Sequence, residues 1–169
     1  LQFLSESISI GSVISTKIIH NVDILLLQDS LTIESENASF TFINPRHYFP
    51  VIVENDGSIL CKLLIHGYHT LITGDIDEYV ELALIKANLI HDVDFLKLGH
   101  HGSRFSTSLE LLDVTTPMFA WNSSGANNVY GHPHYATLKR LSDLGIDFFS
   151  THDHGLIEFI FYDSNVIIK

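Results

Sequence analysis

Short apolar runs that alternate with runs of helical spacing limit this chain to very few folds. "VDILLLQ" (22–28), "SFTFIN" (39–44), "SILCKLLIH" (58–66) and "HTLITG" (69–74) read as strands. The last two are joined by a tight turn at Gly67 and Tyr68. "DEYVELALIKANL" (77–89) then has helical spacing and an acidic first turn. A strand "VDFLKLG", a short helix "SLELLDV", a strand "MFAWNSS" and a helix "PHYATLKRLSDLG" follow, the helix starting on Pro133 and ending at Gly145. "DFFST", "LIEFIF" and "NVIIK" close the chain as strands. The pattern is α/β, antiparallel at both ends and alternating in the middle. No repeat, linker or low-complexity segment divides it, so residues 1–169 are expected to form a single domain.

Composition narrows the function. No window is apolar enough for a membrane helix, and the N-terminal "LQFLSESISIGSVIS" has neither a basic region nor a continuous apolar one. The chain is therefore expected neither to span a membrane nor to carry a signal. A net charge of −11 argues against attraction to phosphate backbones by general electrostatics, so any work on nucleic acid needs local cations. Cys61 is the one cysteine, which excludes an internal disulfide and a cysteine-cluster zinc site. Histidine, the commonest metal ligand, occurs eleven times.

Polar clusters fall at the ends of the strands, where loops of α/β proteins converge. "TGDID" places Asp75 between a strand and a helix, and "GHHGS" does the same for His100 and His101. "SSGANNVYGHPH" brings Asn127, Asn128, His132 and His134 to the next helix entrance, and "VENDGS" sets Asn55, Asp56 and Ser58 before a strand. Asp75 has a second reading as an ordinary helix N-cap. His132 and His134 read equally as exposed loop residues. The histidine pair between glycines resists the bland reading, because the backbone approaches closely and the rings are unshielded. "THDHG" reads as a turn rather than a ligand pair, and "HGYH" as a hairpin tip.

The ordered series "FINP", "NDGSILCKLLIHGYHTLITGD", "DFLKLGHHGSRFSTS", "NNVYGHPH" and "THDHGLIEF" resembles the C-terminal metallo-β-lactamase-fold domain of ComEC-type competence proteins, from about Phe42 to Phe159. The resemblance implies a metallo-β-lactamase-like αββα sandwich that follows a membrane channel in the same polypeptide, on the outer face of the cytoplasmic membrane. It implies a metal-dependent nuclease that degrades the non-transported single strand of DNA, with two divalent metal ions, zinc or manganese, and no small-molecule cofactor. Asp75 matches the family's bridging carboxylate. The HHG motif supplies an imidazole ligand, with His100 and His101 both carried. His132 or His134 would contact the phosphate or protonate the leaving oxygen. Ser103 and Asn127 would hold non-bridging oxygens, and Asn55 and Ser58 are carried as further substrate contacts.

The sequence departs from the family in one respect. Nothing before Asp75 resembles the family's N-terminal His-x-His/Asp-x-Asp-His cluster. Truncation is the first explanation, with roughly the first third of the domain absent. The alternative is a degenerate, non-catalytic scaffold or interaction domain. Either way the isolated chain is expected to bind metal weakly and to lack nuclease activity.

Overall fold

The computed structural model describes residues 13–15, 24–48, 50, 55–163 and 165–169. Its centre is a seven-stranded sheet in sequential order: β3 (Ser30–Glu34), β4 (Ala38–Ile43), β5 (Leu60–Ile65), β6 (Tyr68–Ile72), β7 (Phe95–Lys97), β8 (Phe119–Asn122) and β9 (Asp147–Ser150). From β3 to β6 the neighbours are antiparallel, and from β6 to β9 they are parallel. Two small pairs complete the strands. β1 (Val13–Ser15) runs parallel to β2 (Ile24–Leu26), and β10 (Phe159–Phe161) forms a hairpin with β11 (Val166–Ile168). The architecture is mixed α/β, a sheet flanked by helices.

The change of direction at β6 follows from the connections. β5 and β6 are joined by two residues, His66 at φ 48° and Gly67 at φ 84°, the positive pair that a tight hairpin requires. The turn is thus one residue earlier than the Gly67-Tyr68 expected. Parallel neighbours need a crossover instead. α1 (Pro45–Tyr48) is a single turn after β4, whereas α2 (Glu78–Lys86), α3 (Leu109–Thr115) and α4 (Tyr135–Leu144) are those crossovers, and α5 (Thr151–His154) is one turn after β9.

The pleat sorts the two faces. Ile43, Leu60, Leu71, Leu96 and Ala120 point to one face, where Val80 and Leu84 of α2, Leu111 and Leu112 of α3, and Leu141 of α4 close a buried core. Each such aliphatic side chain contributes about 1.5–3 kcal/mol by leaving water. The opposite face carries Tyr68, Phe95, Phe119 and Trp121, with the β10–β11 hairpin against it: Phe159 stands 5.3 Å from Phe95 and 5.0 Å from Trp121, ring centre to ring centre. Cys61 also belongs to this face, opposite Phe42 and Ile72, and burial pushes its thiol up to about 11.

Helix starts are fixed by side chains. Asp77 caps α2, its Oδ1 accepting from the N–H of Tyr79 at 2.9 Å and of Val80 at 3.3 Å, so the cap is Asp77 and not Asp75. Ser108 caps α3 through Leu111 N–H at 3.1 Å. α4 begins at Tyr135, two residues after the proline start expected, because His134 is extended (φ −77°, ψ 142°) and spends its own N–H on Gly102 O at 2.8 Å. The "THDH" stretch, expected as a turn, is the single helical turn α5.

One buried carboxylate ties α2 to the loop after β7. Glu81 has no exposed surface, and its two oxygens accept from Thr107 N–H at 2.6 Å and Ser108 N–H at 2.9 Å. Burial pushes its carboxyl above the usual carboxylate range, against the pull of those donors and of Arg140. Replacing Glu81 by Gln is expected to lower the unfolding free energy by about 1–3 kcal/mol, because one buried N–H then has no acceptor. Urea denaturation should show a lower midpoint at an unchanged slope; an unchanged midpoint would remove Glu81 as the clamp of this loop.

Candidate functional site

The loops that follow β6, β7, β8 and β9 meet at the C-terminal edge of the parallel half of the sheet. Backbone and short side chains sew them together. His100 N–H donates to Gly74 O at 2.9 Å, Asn122 Nδ2 to His101 O at 3.2 Å, Ser124 N–H to Thr151 Oγ1 at 3.0 Å, and His134 N–H to Gly102 O at 2.8 Å. A Cβ on Gly102 would stand 2.7 Å from Pro133 Cβ, and the residue has φ +82°. Only glycine lets the "HHG" and "GHPH" loops touch there.

His100 and His101 themselves adopt left-handed backbone, at φ 46° and 57°. Consecutive non-glycine residues in this region cost roughly 1–2 kcal/mol each, and such strain collects where side-chain direction matters for function. Its effect here is to splay the rings, whose centres are 6.4 Å apart at 66°. His101 Nδ1 lies 2.6 Å from Ser123 O, an acceptor, so Nδ1 carries a proton, and in the neutral ring the lone pair is then on Nε2. Nε2 faces Asp75 Oδ1 at 3.9 Å. The His100 ring turns instead to His132, centre to centre 5.7 Å, and His132 lies 5.9 Å from the near-parallel ring of Tyr130.

Asp75, His100, His101 and His132 thus come together. His134 stands at their edge, its Nδ1 accepting from Ala136 N–H at 3.2 Å as the cap of α4. Ser103 is buried, and its Oγ accepts from Phe105 N–H at 3.3 Å. Asn127, exposed and at φ 56°, lines a cleft of about 280 Å³ with His132 and His152. Asn55 and Ser58 sit under the Asp75 loop: Ser58 Oγ donates to Asn55 O at 2.7 Å, and Ser58 packs against Gly74.

Three residues at the site carry no role in the sequence reading. Asp56, buried, accepts from Asp77 N–H at 3.2 Å; burial raises its carboxyl, the Asp77 N–H bond pulls it back, the Asp77 charge raises it and His100 lowers it. Its place in "NDGS" was its one signal. His152 belongs to the stretch that reads as a turn. Tyr130, inside "NNVYGHPH", gives no sign in the sequence that its ring faces the cleft. Among the described residues, Thr73 Oγ1 and Asn122 Oδ1, at the ends of β6 and β8, are buried without a hydrogen-bond partner.

Around a tetrahedral ion with ligands at about 2.0–2.2 Å, neighbouring ligand atoms stand roughly 3.3–3.6 Å apart. Asp75 Oδ1 and His101 Nε2, at 3.9 Å, stand a little wider than that spacing. The Ser123 carbonyl lies at the other ring nitrogen of His101, where metal-binding histidines use an acceptor. The chemistry of the two side chains suits one ion, and a small closing of the gap would bring them to its spacing. Among the described residues no group of three or more His, Cys, Asp or Glu is arranged to hold a metal, so they do not close a shell. Nor, among them, is any helix long and apolar enough to cross a membrane.

No protein-family model matches the chain. Its homologues among curated proteins are named for competence and recombination. It is 34% identical over 127 residues to "Competence protein ComA" of Neisseria gonorrhoeae, covering 73% of the chain and 18% of that protein. The identity to "ComE operon protein 3" of Bacillus subtilis is 32% over 106 residues, 63% of the chain and 14% of that protein. "Recombination protein 2" of Haemophilus influenzae is 36% identical over 104 residues, 60% of the chain and 13% of that protein. The chain spans less than a fifth of the length of these relatives.

Burial first, and then the neighbouring His100, His101 and His134, lower the His132 pKa, with Asp75 opposing. The unfolded chain therefore takes up a proton at His132 more readily than the folded one. This contribution to stability is intact above the unfolded value of about 6.5 and is lost as the pH falls through the folded value. Urea midpoints measured from pH 8 down to pH 5 should fall more for the wild type than for His132→Asn. Parallel profiles would show that His132 is not held in this imidazole cluster.

Proposed function

We propose that this chain serves DNA uptake as one part of a longer competence protein, and that it carries part of a metal-dependent site hydrolysing phosphodiester bonds of the non-transported strand. Homology to proteins named for competence supports the role in DNA uptake. The chemistry rests on one observation: a carboxylate oxygen of Asp75 and Nε2 of His101 stand 3.9 Å apart, with Nδ1 of His101 against Ser123 O, so that the neutral ring offers Nε2 as a ligand. Divalent ions held with the help of these two residues would supply Lewis-acid polarisation of the phosphodiester oxygens. They would also offset the charge of −11 at the point where an anionic substrate must approach.

The chain's own residues divide the remaining work. Ser123 O fixes the tautomer of His101, and the left-handed backbone aims its ring. His132, beside His100 and lining the cleft, contacts the phosphate or gives a proton to the leaving oxygen. His134 keeps Nε2 as a donor, since Nδ1 already accepts from Ala136 N–H. Asn127 borders the neighbouring cleft and is assigned to a non-bridging oxygen; Ser103, buried with its Oγ accepting from Phe105 N–H, is assigned instead to shaping the loop after the histidine pair. Asn55 and Ser58 brace Gly74 and so the Asp75 loop.

The fold assigned is one half of a metallo-β-lactamase-like αββα sandwich. The aromatic face of the sheet, only half-buried at Phe119, Trp121 and Phe149, supports a second layer there. The further metal ligands and the membrane channel belong to the rest of the longer protein, and the domain is assigned to the outer face of the cytoplasmic membrane.

Single variants of the full-length protein test the assignment. His101→Ala should lower both metal content and DNA cleavage, whereas His132→Ala should lower cleavage by about 10²- to 10⁴-fold with metal content unchanged. Full cleavage with metal retained in His101→Ala would sink the metal site. A wild-type protein that binds neither metal nor DNA would leave the non-catalytic scaffold reading.

A further inference from the structure

We propose that Tyr130 is a stacking platform for one unpaired base of a single-stranded nucleic acid, set at the mouth of the cleft that holds His101 and His132. This specificity role rests on the phosphodiester reading of that cleft. The cleft, of about 530 Å³, is lined by His101, Ser123, Asn128, Tyr130 and His132 among others. Tyr130 is 78% exposed, although a large ring of this kind ordinarily gains by burial.

The ring has one aromatic neighbour. Its plane lies 29° from that of His132 with the ring centres 5.9 Å apart, an offset arrangement that leaves most of the Tyr130 ring open to solvent. The loop beneath it is stiffened by one side chain: Asn128 Nδ2 donates to Gly125 O at 3.0 Å and to His132 O at 2.5 Å, and its Oδ1 accepts from His132 N–H at 3.0 Å. Gly125 and Gly131 flank the segment, and a Cβ at either would meet nothing within 4 Å, so nothing crowds the approach. Tyr130 is therefore an exposed flat surface on a loop whose backbone Asn128 ties down beside it.

Charge decides what that surface can take. With a net charge of −11, the chain lacks the general attraction through which most nucleic-acid binders hold the backbone. Contact with a base face does not depend on that attraction, and every base has such a face. A duplex hides its base faces within the stack, so the platform discriminates in favour of single strands. A phosphate at His132 would leave an adjoining base beside Tyr130.

Binding of a fluorescein-labelled single-stranded DNA oligonucleotide to the full 169-residue chain, followed by anisotropy, reads this directly and needs no catalysis. Tyr130→Ala should weaken binding by about five- to hundredfold, the range of one base–aromatic stack. Tyr130→Phe should bind like the wild type. An oligonucleotide of the same backbone with its bases removed should bind wild type as weakly as the intact strand binds Tyr130→Ala, and combining the two changes should add nothing. Duplex binding should not respond to Tyr130→Ala. Thermal melting controls for folding, which an exposed ring should not affect.

Unchanged affinity in Tyr130→Ala, an equal loss in Tyr130→Phe, or no binding of the single strand by wild type would each overturn the platform. The hydrolase reading fails separately, through metal content and cleavage in the His101 and His132 variants. Stacking without cleavage keeps the platform, and cleavage without stacking keeps the hydrolase.

Discussion

Glu81 sits at the structural root of the site, although it touches none of the candidate chemistry. Its carboxylate, fully removed from water, accepts two backbone N–H groups at the far end of the loop that starts with the histidine pair. Arg140 holds the same loop from α4, donating to the carbonyls of Arg104 and Ser106 at 3.2 and 3.1 Å. Gly99 N–H adds a bond to Thr107 Oγ1 at 3.1 Å, which closes the loop on itself. A loop with its backbone groups satisfied in this way can carry unfavourable φ values at His100 and His101 without relaxing them. The strain and the clamp belong to one arrangement, and the direction of the His101 ring is its product.

The sheet separates support from chemistry. Its antiparallel half, β3 to β6, is a meander built on tight connections, with loops alternating between the two edges. The parallel half must return each chain through a crossover, so every strand ends on the same edge. That is why the polar clusters after β6, β7 and β8 converge while the hairpin histidines His66 and His69 do not. His66 pairs with Asp163 at 2.8 Å, away from the site.

Much of this was legible in the chain itself. Apolar runs of strand length marked β4 to β11, and the helical spacing of 77–89 marked α2. What was missed is instructive. β3, "SLTIE", is an edge strand with mostly exposed residues, so its composition carries no burial signal. Asp75 reads in sequence as a helix cap and Asp77 as the first helical residue, yet it is Asp77 that reaches the N–H groups of α2. Tyr130 reads as one more loop residue until His132 is seen beside its ring.

Local sequence determined the elements and their order, because strand and helix periodicities are properties of neighbouring residues. It also put a carboxylate and imidazoles at the strand ends. It could not determine which imidazole turns toward Asp75. That choice depends on Ser123 O, which lies at the end of β8 and reaches His101 at the end of β7 only because parallel registry brings the two ends level. Nor could it reveal that a side chain on α2 fixes the loop 99–108, since Glu81 and Thr107 become partners only when α2 and α3 pack on one face of the sheet. Those decisions fall to tertiary structure, where groups far apart in the chain compete to satisfy buried donors and acceptors.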